Sequence, residues 1–146
     1  MSSGNRAAVL YVVLCAAPAA STAGEFVRLT RDAGWLVRVI STPLGERFIK
    51  ADELARLTGD RVRSEFRMPD DADELPTADA AVVAPATFNT VNKWAAGIAD
   101  TFAAALLSEL TGLGVPIVVE TGAGLERRAL AYLTAVKAPI SGSDSH

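Results

Sequence analysis

Residues 79–107 read DAAVVAPATFNTVNKWAAGIADTFAAALL. Ala80 to Ala84 is a short unbroken apolar run, the pattern of a strand buried on both faces of a parallel sheet. The turn Pro85-Ala86-Thr87-Phe88-Asn89-Thr90 then places small hydroxyl and amide residues where the strand gives way to a helix. Val91, Trp94, Ile98, Phe102, Ala105 and Leu106 recur at spacings of three or four, one face of a helix. Gly97 marks a break in that helix, with Asp100 expected to cap a second segment. In open α/β sheets ligands bind at the end of the strands where such turns lie, over helix N-termini.

The same alternation extends in both directions. Ala8 to Cys15 predicts a first core strand, followed by the small-residue turn Ala16 to Ser21. A helix carrying Phe26, Val27 and Leu29 follows, with Ser21 or Thr22 as its cap and an end near Gly34. Leu36 to Ile40 predicts a second strand, Ser41-Thr42-Pro43 a second loop, and Ala51 to Leu57 a short helix. Arg61 to Phe66 predicts a third short strand, Val115 to Val119 a last one, and Leu125 to Leu133 a helix. Pro69 to Thr77 is acidic and irregular, either a solvated loop or a mobile flap. Strands alternating with helices imply a single-domain α/β fold: a Rossmann-like or flavodoxin-like three-layer sandwich with a parallel sheet. The domain takes in residues 1–146, with an ordered core over about 7–137 and a short tail over 138–146.

Composition narrows the chemistry. The chain has 146 residues, 50% of them hydrophobic, which suits one compact domain with a sizeable core. A net charge of −3 lacks the basic footprint of a nucleic-acid binder. Cys15 is the lone cysteine and His146, the last residue, the lone histidine. An internal disulfide, a Ser-His-Asp triad inside the fold and a multi-histidine or thiolate metal site are therefore excluded within one chain. The apolar run Ala7 to Ala20 has the look of a secretory leader. Its strand-like centre and the helical pattern directly after it favour a core strand, and it is too short to span a bilayer. A cytoplasmic protein without a membrane segment is the expectation.

The strand ends before Ala16, Ser41, Pro85 and Glu120 should lie along one sheet edge. Ala16 to Ala20 carry no bulky side chains, so a ligand can approach the backbone, and the next helix start can hold a phosphate. Ser41 and Thr42 add hydroxyls, either for an ordinary turn or for that phosphate. Thr87, Asn89 and Thr90 suit a planar heterocycle with several acceptors, or simply cap a helix. The glycine-rich fingerprint G-x-G-x-x-G is absent. Cys15 reads as a buried thiol or a redox group, and Trp94 as core or subunit contact. Arg127 and Arg128 read as a solvated face or an anion clamp, and Glu120 as a surface acid or a ligand hydrogen-bonder.

PATFNTVNKWAAGIADT resembles the PASANT-type segment of the homo-oligomeric flavin-containing cysteine decarboxylases, and Gly97-Ile98-Ala99-Asp100 resembles their GIADN segment. EFVRLTRDAGWLVRVIST is similar to the family's first helix and second strand, and Arg47-Phe48-Ile49 to part of its second loop. The likeness covers about residues 7–120. It implies an FMN-binding domain that assembles as a trimer or from trimers and acts on a small-molecule or peptide cysteinyl substrate by oxidative decarboxylation. Carried over by position, Ala16, Ala17, Ser41 and Thr42 would lie at the FMN phosphate. Phe48 would lie against the flavin, and Ala86, Thr87, Phe88 and Asn89 would line its ring.

The chain departs from that pattern in three places. The family's active-site histidine falls fourteen residues before the turn's proline, where this sequence has Asp71, a weak substitute as base. The substrate-binding P-x-M-N-x-x-M-W segment is replaced by Glu120 to Leu125, and Phe88 replaces a small residue in the turn. The resemblance therefore admits two outcomes: a flavin-dependent decarboxylase, or a flavin-binding or regulatory protein on the same scaffold without catalysis.

Overall fold

The computed structural model describes residues 7–16, 23–64, 75–120 and 129–136. Among them run β1 (Val9–Leu14), α1 (Ala23–Asp32), β2 (Leu36–Ser41), a 3-10 turn (Leu44–Phe48), α2 (Ala51–Thr58), β3 (Ala80–Val83), α3 (Phe88–Ala95), α4 (Phe102–Gly112) and β4 (Ile117–Val119). Residues 129–136 are helical and form α5. The strands make one parallel sheet in the order β2-β1-β3-β4. Val12 of β1 stands between Val39 of β2 and Val82 of β3.

β1 and β3 are buried along their whole length, which is why they read as unbroken apolar runs. Successive side chains point to opposite faces and serve two separate cores. Leu10, Val12, Leu14, Val37, Val39 and Val82 pack against Phe26 and Val27 of α1, Leu54 of α2 and Leu133 of α5. Tyr11, Val13, Cys15, Ile40 and Val83 pack on the other face against Ala103, Leu106, Leu107 and Leu110 of α4. The result is the expected three-layer sandwich. Each fully buried leucine or valine adds about 1.5–3 kcal/mol over an exposed one.

β1 and β3 are neighbours although α1, β2 and α2 separate them in the chain, so the chain reverses its direction of travel across the sheet between them. Beyond the carboxyl ends of these two strands lies a crevice, the switch point where open α/β sheets take ligands.

Three sequence expectations change in detail. The face from Val91 to Leu106 breaks at Gly97 into two helices, as its glycine suggests. Gly97 (φ 74°) lets the Ile98 amide close on the Lys93 carbonyl at 2.8 Å, ending α3. The cap of α4 is Thr101, whose hydroxyl accepts from the Ala104 amide at 3.1 Å. Asp100 stands one residue too early for that bond and pairs instead with Lys93. Arg61 to Ser64 contribute a single parallel bridge, Arg63 to Ile40 beside β2, and no strand; residues 65 and 66 lie outside the described part. β4 begins at Ile117, because the Val115 amide is spent on the Leu110 carbonyl at the end of α4 and Pro116 has no amide hydrogen. The expected caps Ser21 and Thr22, most of the acidic loop (residues 69–74), the Arg127-Arg128 pair and the tail also lie outside the described residues.

Candidate functional site

The parallel sheet brings the ends of β1, β2 and β3 to one edge, and a cavity of about 220 Å³ opens there. Ala16 enters it directly after β1, and Thr42, Pro43 and Leu44 after β2. From α3 come Thr87, Asn89, Thr90 and Lys93; from α4 come Thr101 and Ala104.

Each wall has a local cause. After β2 the chain must turn sharply, and Thr42 makes the turn: its amide donates to the Leu14 carbonyl at 3.0 Å, and its hydroxyl accepts from the Gly45 amide at 3.0 Å. Gly45 is required in that place. A Cβ there would lie 2.8 Å from both the Ser41 and the Thr42 hydroxyl oxygens and 3.0 Å from the Leu14 carbonyl oxygen. After β3 the Ala84–Pro85 peptide is cis, and the Cys15 amide donates to the Pro85 carbonyl at 3.2 Å, joining the β1 and β3 loops. Thr87 is the N-cap of α3, its hydroxyl receiving the Thr90 amide.

α3 and α4 thus both start at the cavity. Their N-termini direct the positive ends of their dipoles to the same place. Lys93 Nζ lies 2.9 Å from Asp100 Oδ2. Among the described residues lining the cavity, Lys93 is the only charged one. No cluster able to hold a metal ion occurs among the described residues. None of their helices is long and apolar enough to cross a membrane.

Of the site residues read from sequence, Ala16, Thr42, Thr87 and Asn89 come together in the cavity wall. Ser41 is fully buried behind it, its hydroxyl donating to the Thr42 carbonyl at 2.8 Å. Ala86 is buried and its amide donates to the Glu120 carbonyl at 2.8 Å, tying the β3 loop to the end of β4. Phe48 closes the 3-10 turn, partly exposed, and Phe88 is 84% exposed; neither lines the cavity. Ala17 and Asp71 lie outside the described residues.

Sequence reading missed Lys93, Thr101 and Ala104. Gly97 and Asp100 pointed to a second helical segment, but no periodicity shows that its start returns to the sheet edge. The Asp-Thr pair at 100–101 was the available signal, since either residue type can cap a helix.

The architecture has counterparts among known proteins. The model of the flavoprotein family matches residues 2–123. The chain belongs to the flavoprotein family. Among solved structures, this chain is similar to the cypemycin decarboxylase CypD. The identity is 25%, over 88% of this chain and 78% of that one, with a TM-score of 0.64. The peptidyl-cysteine decarboxylase EpiD shares the fold at 18% identity, over 95% of this chain and 84% of that one, with a TM-score of 0.60. AnUbiX (PadA1), solved in complex with FMN and dimethylallyl pyrophosphate, shares it at 16% identity, over 90% of this chain and 75% of that one, with a TM-score of 0.65. No curated protein sequence matches this chain.

The donors around the cavity fit a flavin nucleotide. Threonine hydroxyls, helix-start amides and one ammonium suit a phosphate and the carbonyl and nitrogen acceptors of a planar ring, and no carboxylate among the described lining residues opposes them.

Proposed function

We propose that this chain binds FMN in the switch-point cavity. The observation that carries the reading is the convergence of the loops after β1, β2 and β3 with the starts of α3 and α4 on one hydroxyl-lined space. The mononucleotide is favoured over a dinucleotide by the end of β2. Ser41 and Thr42 stand where dinucleotide folds of this class place an acid for a ribose hydroxyl. Thr42 and the backbone beside Ala16 would take the phosphate, and Thr87, Asn89 and Thr90 the polar edge of the ring.

When bound, flavin supplies two-electron redox chemistry. The chain's part is to hold and orient the cofactor. The family and the likeness to CypD support oxidative decarboxylation of a cysteinyl substrate as the activity. The second reading, flavin binding without that catalysis, is favoured by the cavity's chemistry: among its described lining residues no histidine or carboxylate stands ready to move a proton.

A homo-oligomer belongs to the same proposal. The cavity is smaller than the ~300–1,000 Å³ of usual small-molecule sites. Leu44, 61% exposed, and Phe88 stand near its walls with apolar surface to bury against another copy. Retention of FMN by the purified protein through gel filtration tests the binding. Loss of carbon dioxide from a cysteine-ended peptide or from phosphopantothenoylcysteine separates the enzyme from the non-catalytic reading.

A further inference from the structure

The Lys93–Asp100 pair is asymmetric. Lys93 is the half set into the cavity wall, its side chain 28% exposed, while Asp100 is 53% exposed on the loop between α3 and α4 and does not line the cavity. An exposed carboxylate keeps much of its hydration when it lets go of its partner, so breaking this bond costs little. The ammonium has three donors, and Asp100 takes one.

The lining around Lys93 offers further donors. Thr87 and Thr90 share one hydroxyl–hydroxyl hydrogen bond at 3.3 Å, so one of their two hydroxyl protons remains to donate. Thr90 is more than nine-tenths buried and lines the cavity. The Thr101 hydroxyl accepts from the Ala104 amide, leaving its proton to donate as well. A partly enclosed ammonium, spare hydroxyl protons and no acid in the described wall make a receptor for negative charge.

We propose that Lys93 is the oxyanion-binding residue of this cavity and that Asp100 is its exchangeable counter-ion, displaced when a phosphate or carboxylate group of a ligand enters. The proposal rests on the reading of the cavity as the ligand site and adds which residue recognises the ligand's charge. It also fixes a sign. Removing the competing carboxylate should strengthen anion binding, and removing the ammonium should weaken it. A pair that merely braced α3 against the α3–α4 loop would give the same direction for both changes.

The test titrates the full chain and its Lys93→Gln, Lys93→Arg and Asp100→Asn variants at fixed ionic strength. The probes are inorganic phosphate, FMN and riboflavin, and then thioglycolate and its methyl ester added to the FMN-loaded protein. Lys93→Gln should weaken binding of the charged probe about ten- to a hundredfold, the range of one charge-assisted hydrogen bond. Lys93→Arg should restore part of it, and Asp100→Asn should bind several-fold tighter than the wild type. A loss for FMN but not riboflavin makes the anion the flavin phosphate. A loss for thioglycolate but not its ester makes it the carboxylate of a second ligand. Parallel weakening in Lys93→Gln and Asp100→Asn, or no change in any titration, overturns the proposal. If the wild type binds neither flavin, the FMN reading fails by itself, and the phosphate titration still decides Lys93: stabilisation by phosphate that survives Lys93→Gln overturns its role.

Discussion

One added carbon at Gly45 should disturb the site more than most single changes. A Cβ there meets two hydroxyl oxygens and a backbone oxygen, none at the far end of a flexible side chain. Gly45→Ala is expected to cost about 1–3 kcal/mol in urea unfolding, the range for forcing an atom into packed surroundings. It should also loosen flavin binding, because the Gly45 amide holds the Thr42 hydroxyl. Tyr11, on the interior strand β1, gives a second residue-scale test. Its phenol donates to the Pro76 carbonyl, which leads the chain into β3. Burial first, and the Glu109 carboxylate second, hold that phenol above its ordinary value of 10.0, against a lowering pull from Arg63. Below pH 10.0 both folded and unfolded chains keep the proton. Above it the unfolded chain ionises first, so stability falls as pH rises toward the folded-state value. Tyr11→Phe should cost about 1 kcal/mol at neutral pH for the lost hydrogen bond, and it should lack this alkaline slope. Equilibrium unfolding of both proteins across the alkaline range checks it, and parallel curves would contradict it.

At the scale of elements, the strands were the most legible part. β1 and β3 are buried on both faces, so their sequences could be little other than apolar. The boundary between α3 and α4 was legible only in part. Gly97 announced the break, but Asp100 and Thr101 are both good caps, and only the backbone geometry decides between them. That one-residue choice matters, because it frees Asp100 to pair with Lys93 and sets Thr101 in the cavity wall. Ser41 shows another limit of sequence. A serine at a strand end offers a hydroxyl, but which way it turns depends on neighbours such as the Thr42 carbonyl. Phe48 and Phe88 entered the reading by resemblance alone, and no periodicity could say that Phe88 would face outward. Thr101→Ala should lower stability by about 1 kcal/mol through loss of the α4 cap, with Thr101→Ser close to wild type in thermal or urea unfolding. Thr87→Val should cost a similar amount and also weaken flavin binding. Unchanged flavin affinity in Thr87→Val would count against Thr87 as a ring contact.

For the whole molecule, the strand order makes the site. With β1 at the centre, the chain builds outward to β2 and then crosses to β3, leaving a crevice over the ends of β1 and β3 that neither α1 nor α3 fills. The small cavity with exposed Leu44 and Phe88 beside it argues for assembly. Sedimentation should therefore find a particle well above the 15.2 kDa of one chain. Phe88→Ser should shift it toward smaller species while leaving the fold intact by circular dichroism. A wild type that sediments as a monomer would remove the subunit boundary from the account.

The central claim is that the crevice is a flavin site. The most direct measurement is a visible absorbance spectrum of the purified protein, recorded before and after incubation with FMN and passage through a gel-filtration column. A flavin site in the crevice predicts that the two visible flavin bands travel with the protein peak and diminish in Thr87→Val. A colourless protein peak with all added FMN in the small-molecule fractions would contradict it.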